Sequence, residues 1–476
     1  MSQQERNVTD VIVIGAGAVG ENVAERVVKG GLEAIIVESE LVGGECSYWA
    51  CMPSKALLRS TAVLHAARNV DGAKQAVTGD VDVAAVLERR DSFTSNWDDS
   101  GQVKWLDEAG VTLRRGYARL VSERTVEIAG KDGGVERWEA RQAVVLANGS
   151  VPSIPKIEGI DAVRTWGTRE ATSAKSIPDR LAVLGGGVAG VELAQAFARL
   201  GSSVTVIARG GLLSAFPKEA VALVSAALED DGITLLLNTT TSSLSQTGDG
   251  RLSVAIEGGE PVVADEVLVS TGRHPATSDI GLDSVGVTAK KLTVGADGRV
   301  REVPTGWLYA VGDVAGKVLL THQGKYEARM TGDAIAARAK GKLGDEVDAW
   351  SPYAATADEF AVPSVVFTDP EIVMVGRSES QAKEAGLNVR AVAIEMSVGG
   401  TSLHADGYKG WTQIVVDEDQ GVIVGATFAG QDVSEMLHAA TIAIVGEVPL
   451  VRLWHAVPAY PTMNEVWLRL LEAYGL

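Results

Sequence analysis

The chain of 476 residues contains only two cysteines, and they lie five positions apart, at Cys46 and Cys51. On a regular α-helix this separation would place the two Cα atoms roughly 8.6 Å apart. A disulfide closes only when they are about 4.4–6.8 Å apart. If the sulfurs bridge, the backbone between them must bend, most simply because a helix begins inside the segment. Gly43 and Gly44 give the chain freedom on one side, and Pro53 on the other side is tolerated only in or near a first helical turn. The spacing alone leaves two interpretations open, a redox-active pair and two buried, inert thiols.

A glycine-rich motif begins at Gly15, directly after an apolar β-type run, and includes Gly17 and Gly20. A helical pattern and a second apolar run follow, and the second run contains Glu38. Strand, glycine turn, helix, strand and acid in this order form the dinucleotide-binding unit, in which glycines let the backbone approach a pyrophosphate at a helix N-terminus. Glu38 would accept hydrogen bonds from a ribose diol. The first part of the chain is therefore predicted to bind a dinucleotide.

The same pattern returns within residues 181–209, which predicts a second nucleotide in a separate domain. The glycines of this second motif are Gly185, Gly187 and Gly190. The position that corresponds to Glu38 is Ala208, and Arg209 follows it. An acid at this position favours the 2′-hydroxyl of NAD, whereas an arginine accommodates a 2′-phosphate. The sequence therefore favours NADP(H) over NAD(H), and a merely solvated Arg209 would leave NAD(H) open.

Composition and charge exclude several classes of protein. The length predicts roughly three domains of about 150 residues each, and 46% hydrophobic residues with 53 glycines indicate a globular chain rich in turns. A net charge of −19 argues against nucleic acid or an anionic membrane as a partner. Since no apolar run approaches about 18 residues, we expect no transmembrane helix. A polar start without the apolar core of a signal peptide, together with only two cysteines, predicts a cytoplasmic protein.

The segment GGECSYWACMPSK, residues 43–55, resembles the active-site stretch of the flavoprotein pyridine nucleotide–disulfide oxidoreductases. That family includes dihydrolipoamide dehydrogenase, glutathione reductase and mercuric reductase, and the resemblance covers essentially the whole chain. It implies an α/β fold with two Rossmann-like dinucleotide-binding domains, for FAD and NAD(P), and a C-terminal α+β dimerisation domain. The implied boundaries are 1–150 and 276–348 for the two parts of the FAD domain, 151–275 for the NAD(P) domain and 349–476 for the interface domain.

The resemblance also implies roles for individual residues. Cys46 would be the outer, substrate-facing thiol, and Cys51 the inner thiol against the flavin. Lys55 would lie near the reactive edge of the flavin and pair with Glu192, and Asp313 would hydrogen-bond the ribityl chain. Further residues implied at the two cofactors are Gly43, Gly44, Asn148 (where threonine is usual), Gly149, Gly272 and Gly312. No resident metal ion is implied.

The chain departs from the family near its C-terminus. The disulfide reductases of the family carry His-Pro-Thr followed three residues later by Glu; the histidine is the acid and base of thiol exchange, and the glutamate orients it. Here Pro461, Thr462 and Glu465 match, but Tyr460 occupies the histidine position. A phenol with a pKa of about 10 is a poor base at neutral pH, although it can donate a hydrogen bond or stabilise a thiolate. His455 remains an alternative base.

In having a tyrosine at this position, the chain resembles the mercuric reductases and the soluble pyridine nucleotide transhydrogenases of the family. Mercuric reductases add a cysteine pair at the extreme C-terminus, where this chain reads AYGL, and the transhydrogenases do not keep the full cysteine pair. The sequence predicts an FAD-dependent, NAD(P)H-oxidising homodimer that passes electrons through a Cys46–Cys51 disulfide to a disulfide, a quinone or a metal ion. Two alternatives stay open: a quinone, metal-ion or transhydrogenase-type flavoenzyme that does not depend on thiol exchange, and a non-catalytic flavin-binding sensor or subunit.

Overall fold

The computed structural model describes residues 7–288 and 290–476, and it confirms the predicted α/β class. The strands are β1 (Asn7–Ile14), β2 (Ala34–Glu38), β3 (Thr112–Arg115), β4 (Tyr117–Ser122), β5 (Thr125–Ala129), β6 (Val135–Leu146), β7 (Ser150–Pro152), β8 (Arg180–Leu184), β9 (Ser203–Ala208), β10 (Thr234–Leu237), β11 (Thr241–Gln246), β12 (Leu252–Ile256), β13 (Val262–Ala264), β14 (Glu266–Val269), β15 (Arg273–Pro275), β16 (Leu308–Ala310), β17 (Ser364–Val366), β18 (Glu371–Gly376), β19 (Val389–Glu395), β20 (Trp411–Asp417) and β21 (Val422–Gly430). The helices are α1 (Ala18–Lys29), α2 (Gly44–Tyr48), α3 (Cys51–Arg68), α4 (Val83–Phe93), α5 (Ser100–Glu108), α6 (Thr168–Thr172), α7 (Val188–Arg199), α8 (Lys218–Asp230), α9 (Thr321–Ala339), α10 (Glu379–Glu384), α11 (Gly399–His404), α12 (Leu437–Val445), α13 (Leu450–Leu453) and α14 (Glu465–Tyr474).

The described chain divides into two compact units. The first consists of the chain up to Pro53, Asp91–Ser153 and Arg273–Asp358. Its main sheet has the strand order β3-β2-β1-β6-β5-β4, with β16 beside β6. Strand β1 runs parallel to both β2 and β6. Its second half, Val11–Ile14, is fully buried, as expected for a parallel strand covered on both faces.

Two helices of the first unit, α1 and α9, pack tightly against each other. The contact depends on a glycine, because a Cβ atom on Gly324 would lie 2.7 Å from Cγ2 of Val19. Further along, Arg26 on α1 forms a two-pronged ion pair with Asp333 on α9, and the Nε–Oδ1 distance is 2.8 Å. The first turn of α9 is therefore held beside the first turn of α1, the helix that follows the glycine motif of β1.

The second unit consists of Ser54–Arg90, Ile154–Gly272 and Glu359–Leu476. It contains a parallel sheet of order β10-β9-β8-β14, an antiparallel sheet β11-β12-β13 and an antiparallel sheet β17-β18-β21-β20-β19. The chain after residue 350 thus contains both antiparallel strands and helices. No helix within residues 7–288 and 290–476 combines the length and the apolarity needed to cross a bilayer.

A buried ionic network in the second unit connects α3 and α7 with the chain between β17 and β18. Arg199 on α7 donates to Asp231 at 2.8 Å and to Asp369 at 2.9 Å, and only 10% of its side chain is exposed. His65 on α3 contacts the same Asp369 carboxylate. Burial alone would raise the pKa of Asp369, but the hydrogen bond from His65 and the charge of Arg199 outweigh it and hold the pKa below its usual value. The network fixes α3 and α7 relative to each other.

Replacing Arg199 with methionine should destabilise the protein strongly. The substitution keeps the apolar part of the side chain but leaves two buried carboxylates without their shared cation, which typically costs about 3–5 kcal/mol. The matched control is Arg180→Met, because Arg180 forms a similar 2.8 Å ion pair with Asp265 but its side chain is 39% exposed; its loss should cost about 1 kcal/mol or less. Urea unfolding at neutral pH measures both, and equal costs for the two variants would contradict the assignment.

Candidate active site

The backbone bends between the two cysteines, as the spacing predicted. Cys46 lies in the short helix α2, which ends at Tyr48 and is followed by Trp49 with a φ of −136°, and α3 begins at Cys51. Pro53 occupies the first turn of α3, where a proline is tolerated. The chain enters α2 through Gly43, whose φ of +112° favours glycine. Both cysteines are reduced thiols in this structure, and their side chains are hydrogen-bonded to each other.

The first turn of α9 presents polar groups to this thiol pair. The Oγ1 atom of Thr321 lies 3.5 Å from Sγ of Cys51. Lys325 follows four positions later and therefore lies on the same helix face. The hydrogen bond to Cys51, together with burial, raises the pKa of the Cys46 thiol, and Thr321 and Lys325 act in the opposite direction. Sequence reasoning missed both groups; their four-residue spacing after the Gly312–Asp313 motif is the signal that could have suggested them.

A buried carboxyl group also faces this turn. Glu21 lies on the first turn of α1, and its Oε1 atom is buried without a hydrogen-bond partner among the described residues. Burial raises the pKa of Glu21 to about 7, while the charge of Lys325 lowers it and the charge of Glu38 raises it. Lys325 is thus the cation that lies in the field of both a buried carboxyl and the outer thiol.

The first glycine motif forms a cradle that fits a dinucleotide. Gly15 has a φ of +100°, and a Cβ atom there would lie 2.5 Å from the carbonyl oxygen of Ala147. The first turn of α1 begins after Gly17 without any side-chain cap, so its backbone N–H groups can receive a phosphate. Glu38 ends β2, accepts the Ala16 N–H at 2.8 Å and remains half-exposed, and burial raises its pKa. Gly20, the third glycine, packs against the backbone of Gly15.

A second cluster of hydrogen-bonded polar side chains in the first unit includes Asp313. Ser150 donates its hydroxyl hydrogen bond to Asp313, and Arg273 donates to the Ser150 hydroxyl at 2.8 Å. Burial raises the pKa of Asp313. Asn148 donates to the Ala276 carbonyl at 2.7 Å, but its Oδ1 atom is buried and receives no hydrogen bond from the described residues. That acceptor is available for a bound group. The predicted glycines of this unit that adopt positive φ include Gly43, Gly44, Gly149 and Gly312.

The second glycine motif repeats the geometry of the first within the second unit. Gly185 and Gly15 each donate a backbone hydrogen bond of 2.9 Å to the carbonyl of the penultimate residue of the neighbouring strand, Ile207 and Val37. The next residues of those strands are Ala208 and Glu38, so the two positions correspond in space within their units. Arg209 follows Ala208 and is exposed. The other predicted glycines of this unit are Gly187 at the start of α7, Gly190 in its first turn, and Gly272 after β14.

Lys55 and Glu192 form the ion pair that the resemblance predicted. The Nζ–Oε2 distance is 2.7 Å, and the Glu192 side chain is only 3% exposed. The other carboxylate oxygen of Glu192 accepts the backbone N–H of Phe367 at 2.9 Å. The Lys55 ammonium also lies 4.8 Å from the centre of the Phe367 ring, within cation–π range. The lysine is therefore held in one position by two contacts.

The side chains of Tyr460 and Glu465 both lie next to Gly399. A Cβ atom on Gly399 would lie 3.3 Å from the Tyr460 ring and 3.2 Å from Oε2 of Glu465. Glu465 is buried and accepts the Gly400 N–H at 3.3 Å, whereas Tyr460 is 78% exposed. In the described part of the chain the His455 side chain is exposed and has no hydrogen bond or ion pair. Nor do the described residues contain a cluster of three or more His, Cys, Asp or Glu side chains that could hold a metal ion.

Comparisons with known proteins agree on one family. The model of the pyridine nucleotide-disulphide oxidoreductases matches residues 9–331, and the model of their dimerisation domain matches residues 362–470. The dihydrolipoyl dehydrogenase of Thermus scotoductus is 32% identical over 472 residues, 98% of this chain and 97% of the relative. The mercuric reductase of Lysinibacillus sphaericus is 29% identical over 460 residues, 96% of this chain and 81% of the relative.

Solved structures share the fold. The Cu(II) complex of the HOCl-induced flavoprotein disulfide reductase RclA from Escherichia coli superposes with a TM-score of 0.82 at 22% sequence identity, covering 98% of this chain and 99% of that one. LpdA from Mycobacterium tuberculosis superposes with a TM-score of 0.81 at 22% identity, covering 98% and 100%.

Removing the hydroxyl of Thr321 should raise the pKa of the Cys51 thiol. A hydrogen bond to a charged group contributes about 1.5–3 kcal/mol, which corresponds to a shift of roughly 1–2 pKa units. We expect this shift in Thr321→Val, and Thr321→Ser should restore the original value because serine keeps the hydroxyl. The measurement is the pH dependence of iodoacetamide alkylation of Cys51 in a Cys46→Ser background. An unchanged profile in Thr321→Val would show that the hydroxyl does not stabilise the thiolate.

Proposed function

Because the chain belongs to the pyridine nucleotide-disulphide oxidoreductase family, we propose that it uses FAD and NAD(P)H to reduce a small-molecule acceptor through Cys46 and Cys51. The family is dependent on FAD and pyridine nucleotide, and its members in these comparisons transfer electrons by thiol–disulfide chemistry. The observation that carries the proposal is the pair of hydrogen-bonded thiols where α2 ends and α3 begins.

The residues of the first unit fit the proposed cofactor. The open first turn of α1 would receive the pyrophosphate of FAD, Glu38 the adenosine ribose, and Asp313 the ribityl chain. When bound, FAD supplies the two-electron chemistry that connects reduced nicotinamide with a disulfide. In the same proposal, the Lys55 ammonium, fixed by Glu192, provides a positive charge at the reactive edge of the flavin.

The thiol pair carries the substrate half-reaction. Two electrons and one proton, the equivalent of the hydride of NAD(P)H, break the Cys46–Cys51 bond and leave Cys51 as a thiolate and Cys46 as a thiol. The Thr321 hydroxyl donates to Cys51, and the Lys325 charge favours loss of the Cys46 proton. The Cys46 thiolate then attacks the acceptor; for a disulfide acceptor this breaks the acceptor's S–S bond and gives a mixed disulfide with Cys46, while the leaving sulfur takes up a proton. Attack of Cys51 on that mixed disulfide restores the Cys46–Cys51 bond and releases the reduced acceptor.

A homodimer is part of the proposal. The matched dimerisation domain spans residues 362–470, and its surface exposes apolar side chains that a second copy would cover. These exposed side chains include Leu403, Ile442, Val451, Trp454, Val457 and Tyr460. Tyr460 would then face the thiols of the partner subunit, which would give the dimer two composite sites.

For the nucleotide, NADP(H) is proposed over NAD(H). The neutral Ala208 removes the repulsion that an acid would exert on a 2′-phosphate, and the exposed Arg209 side chain is free to reach one. This proposal rests on the corresponding hydrogen bonds of Gly185 and Gly15, which identify Ala208 as the counterpart of Glu38.

Replacing Arg209 with alanine should reduce the preference for NADPH. Loss of one charge-assisted contact costs about 1.5–3 kcal/mol, so kcat/KM for NADPH should fall about 10–100-fold while the value for NADH changes little. The second variant, Ala208→Glu, should lower kcat/KM for NADPH further and raise it for NADH. Steady-state kinetics with both nucleotides test this, and equal effects of Arg209→Ala on NADPH and NADH would refute the assignment.

Tyr460 is proposed to determine the acceptor. An exposed phenol is a poor base at neutral pH, whereas thiol exchange with a disulfide substrate benefits from one. Electron delivery to a quinone or a metal ion requires no such base. Tyrosine in place of histidine at position 460 therefore favours quinones or metal ions over lipoamide and glutathione disulfide as acceptors. A quinone or metal-ion reductase is accordingly the second candidate function.

The Tyr460→His variant should gain turnover with disulfides. General-base catalysis contributes roughly 10²–10⁴-fold, so we expect a rise of about that size with lipoamide or glutathione disulfide. Reduction of a quinone or a dye by NAD(P)H should stay unchanged. Tyr460→Phe is the matched control, because it retains the ring and should not gain disulfide turnover. A wild type that is already fast on lipoamide and gains nothing from histidine would contradict the proposed role of this position.

A further inference from the structure

Two buried carboxyl groups of the first unit, Glu327 and Asp358, lie within hydrogen-bonding reach of each other, and Glu327 also contacts the Gly312–Asp313 turn. Glu327, on α9, is 3% exposed, and the Asp358 side chain is 5% exposed. The Gly312 N–H donates to Oε2 of Glu327 at 2.6 Å, and the Gln323 side-chain amide donates to Oδ1 of Asp358. One oxygen of each carboxyl group is therefore satisfied by a donor.

The second oxygen of each carboxyl group has no hydrogen-bond donor among the described residues. Oε1 of Glu327 and Oδ2 of Asp358 are buried and receive no hydrogen bond from the described residues. The Lys317 ammonium lies 3.6 Å from Oδ2 of Asp358, close enough for an ion pair but too far for a hydrogen bond. Two carboxylates in hydrogen-bonding reach of each other cannot both be ionised without strong repulsion in a buried site. A single proton between the two unsatisfied oxygens would satisfy both.

We propose that Glu327 and Asp358 share one proton, with the Glu327 hydroxyl donating to the Asp358 carboxylate, and that this pair positions the Gly312–Asp313 turn for the flavin. The role of the pair in positioning this turn rests on the proposed function, in which Asp313 holds the ribityl chain. Glu327 and Asp358 are positioning residues in this account, because they act through the backbone of Gly312.

The charges around the pair agree with this assignment. Burial, followed by the charge of Asp358, raises the pKa of Glu327 to about 8, while the Gly312 N–H and the charge of Lys317 oppose the shift. Burial also raises the pKa of Asp358, but Gln323, Lys317 and Glu327 hold it down. The proposal places the proton on Glu327 and the charge on Asp358, opposite the Lys317 ammonium. Tyr326 is a further ionisable neighbour of Asp358, and its phenol oxygen accepts the Ala357 N–H.

The turn itself depends on the hydrogen bond to Glu327. Gly312 has a φ of +69°, and a Cβ atom there would lie 3.2 Å from the side chain of Val19 on α1. The Gly312 N–H is thus fixed by Glu327 on one side and by the packing of α1 on the other. Loss of the shared proton would place two anions together behind this turn and displace the Asp313 carboxylate that follows.

The pH dependence has a defined sign. The pKa of Glu327 rises from 4.5 in an unfolded chain to about 8 in the folded one, so its contribution to stability is complete below pH 4.5 and is lost as the pH rises through 8. FAD affinity should depend on the fraction of the protein in which the Glu327–Asp358 pair carries its proton. Above pH 8, the Kd for FAD should rise by up to about tenfold for each pH unit, the slope for release of one proton.

The Glu327→Gln variant tests the proposal directly. A glutamine accepts the Gly312 N–H through its oxygen and donates to Asp358 through its amide, as the protonated glutamate would. We expect the wild-type Kd for FAD at neutral pH and no rise above pH 8. The measurement is titration of apoprotein with FAD, followed by flavin fluorescence over a pH series. Glu359→Gln is the matched control, since it removes the same charge at the adjacent, exposed position and should retain the wild-type slope.

A Glu327→Gln variant that kept the wild-type rise above pH 8 would overturn the proposal. Infrared spectroscopy of the wild type gives a second readout that does not depend on the variant folding. The carbonyl-stretch band of a protonated carboxylic acid should be present at neutral pH and vanish above pH 8, and its absence at neutral pH would also overturn the shared proton. A wild type that shows the band but binds FAD at no pH would overturn the flavin role while supporting the shared proton.

Discussion

The helix break between Cys46 and Cys51 is the constraint on which the site depends. A continuous helix would hold the two Cα atoms too far apart for their sulfurs to bond. Because α2 ends at Tyr48 and α3 begins at Cys51, the two thiols instead meet in a hydrogen bond. The start of α3 thereby brings Cys51 within 3.5 Å of the Thr321 hydroxyl, the first residue of α9.

Helix α9 serves three purposes within about two turns. Thr321 contacts the inner thiol, Lys325 lies in the field of the outer thiol, and Glu327 holds the Gly312–Asp313 turn. All three depend on the close approach of α9 to α1, which Gly324 permits. The glycine motif that fits a pyrophosphate, the thiol pair and the Gly312–Asp313 turn after β16 are therefore supported by one pair of packed helices.

The sequence predicts those parts of the site whose residues are neighbours in the chain. The glycine turns, Glu38 and the bend between the cysteines follow from short patterns with known backbone requirements. The Lys55–Glu192 contact required the family resemblance, because 137 residues separate its members. Contacts of Thr321 with Cys51, and of Glu327 with Asp358, could not be predicted, since they exist only once α9 is packed in place. The Tyr460 substitution is visible in the sequence, but its exposure and its contact with Gly399 are not.

The measurement that tests the central claim most directly is an anaerobic titration of the FAD-loaded protein with NADPH, in which absorbance and free thiols are followed together. If electrons reach the Cys46–Cys51 pair, two-electron reduction should produce two new titratable thiols and a long-wavelength charge-transfer band between the Cys51 thiolate and the flavin. The band should be missing in Cys51→Ser. A wild type in which only the flavin is bleached, with no new thiols, or a Cys51→Ser protein that keeps the band, would contradict the account.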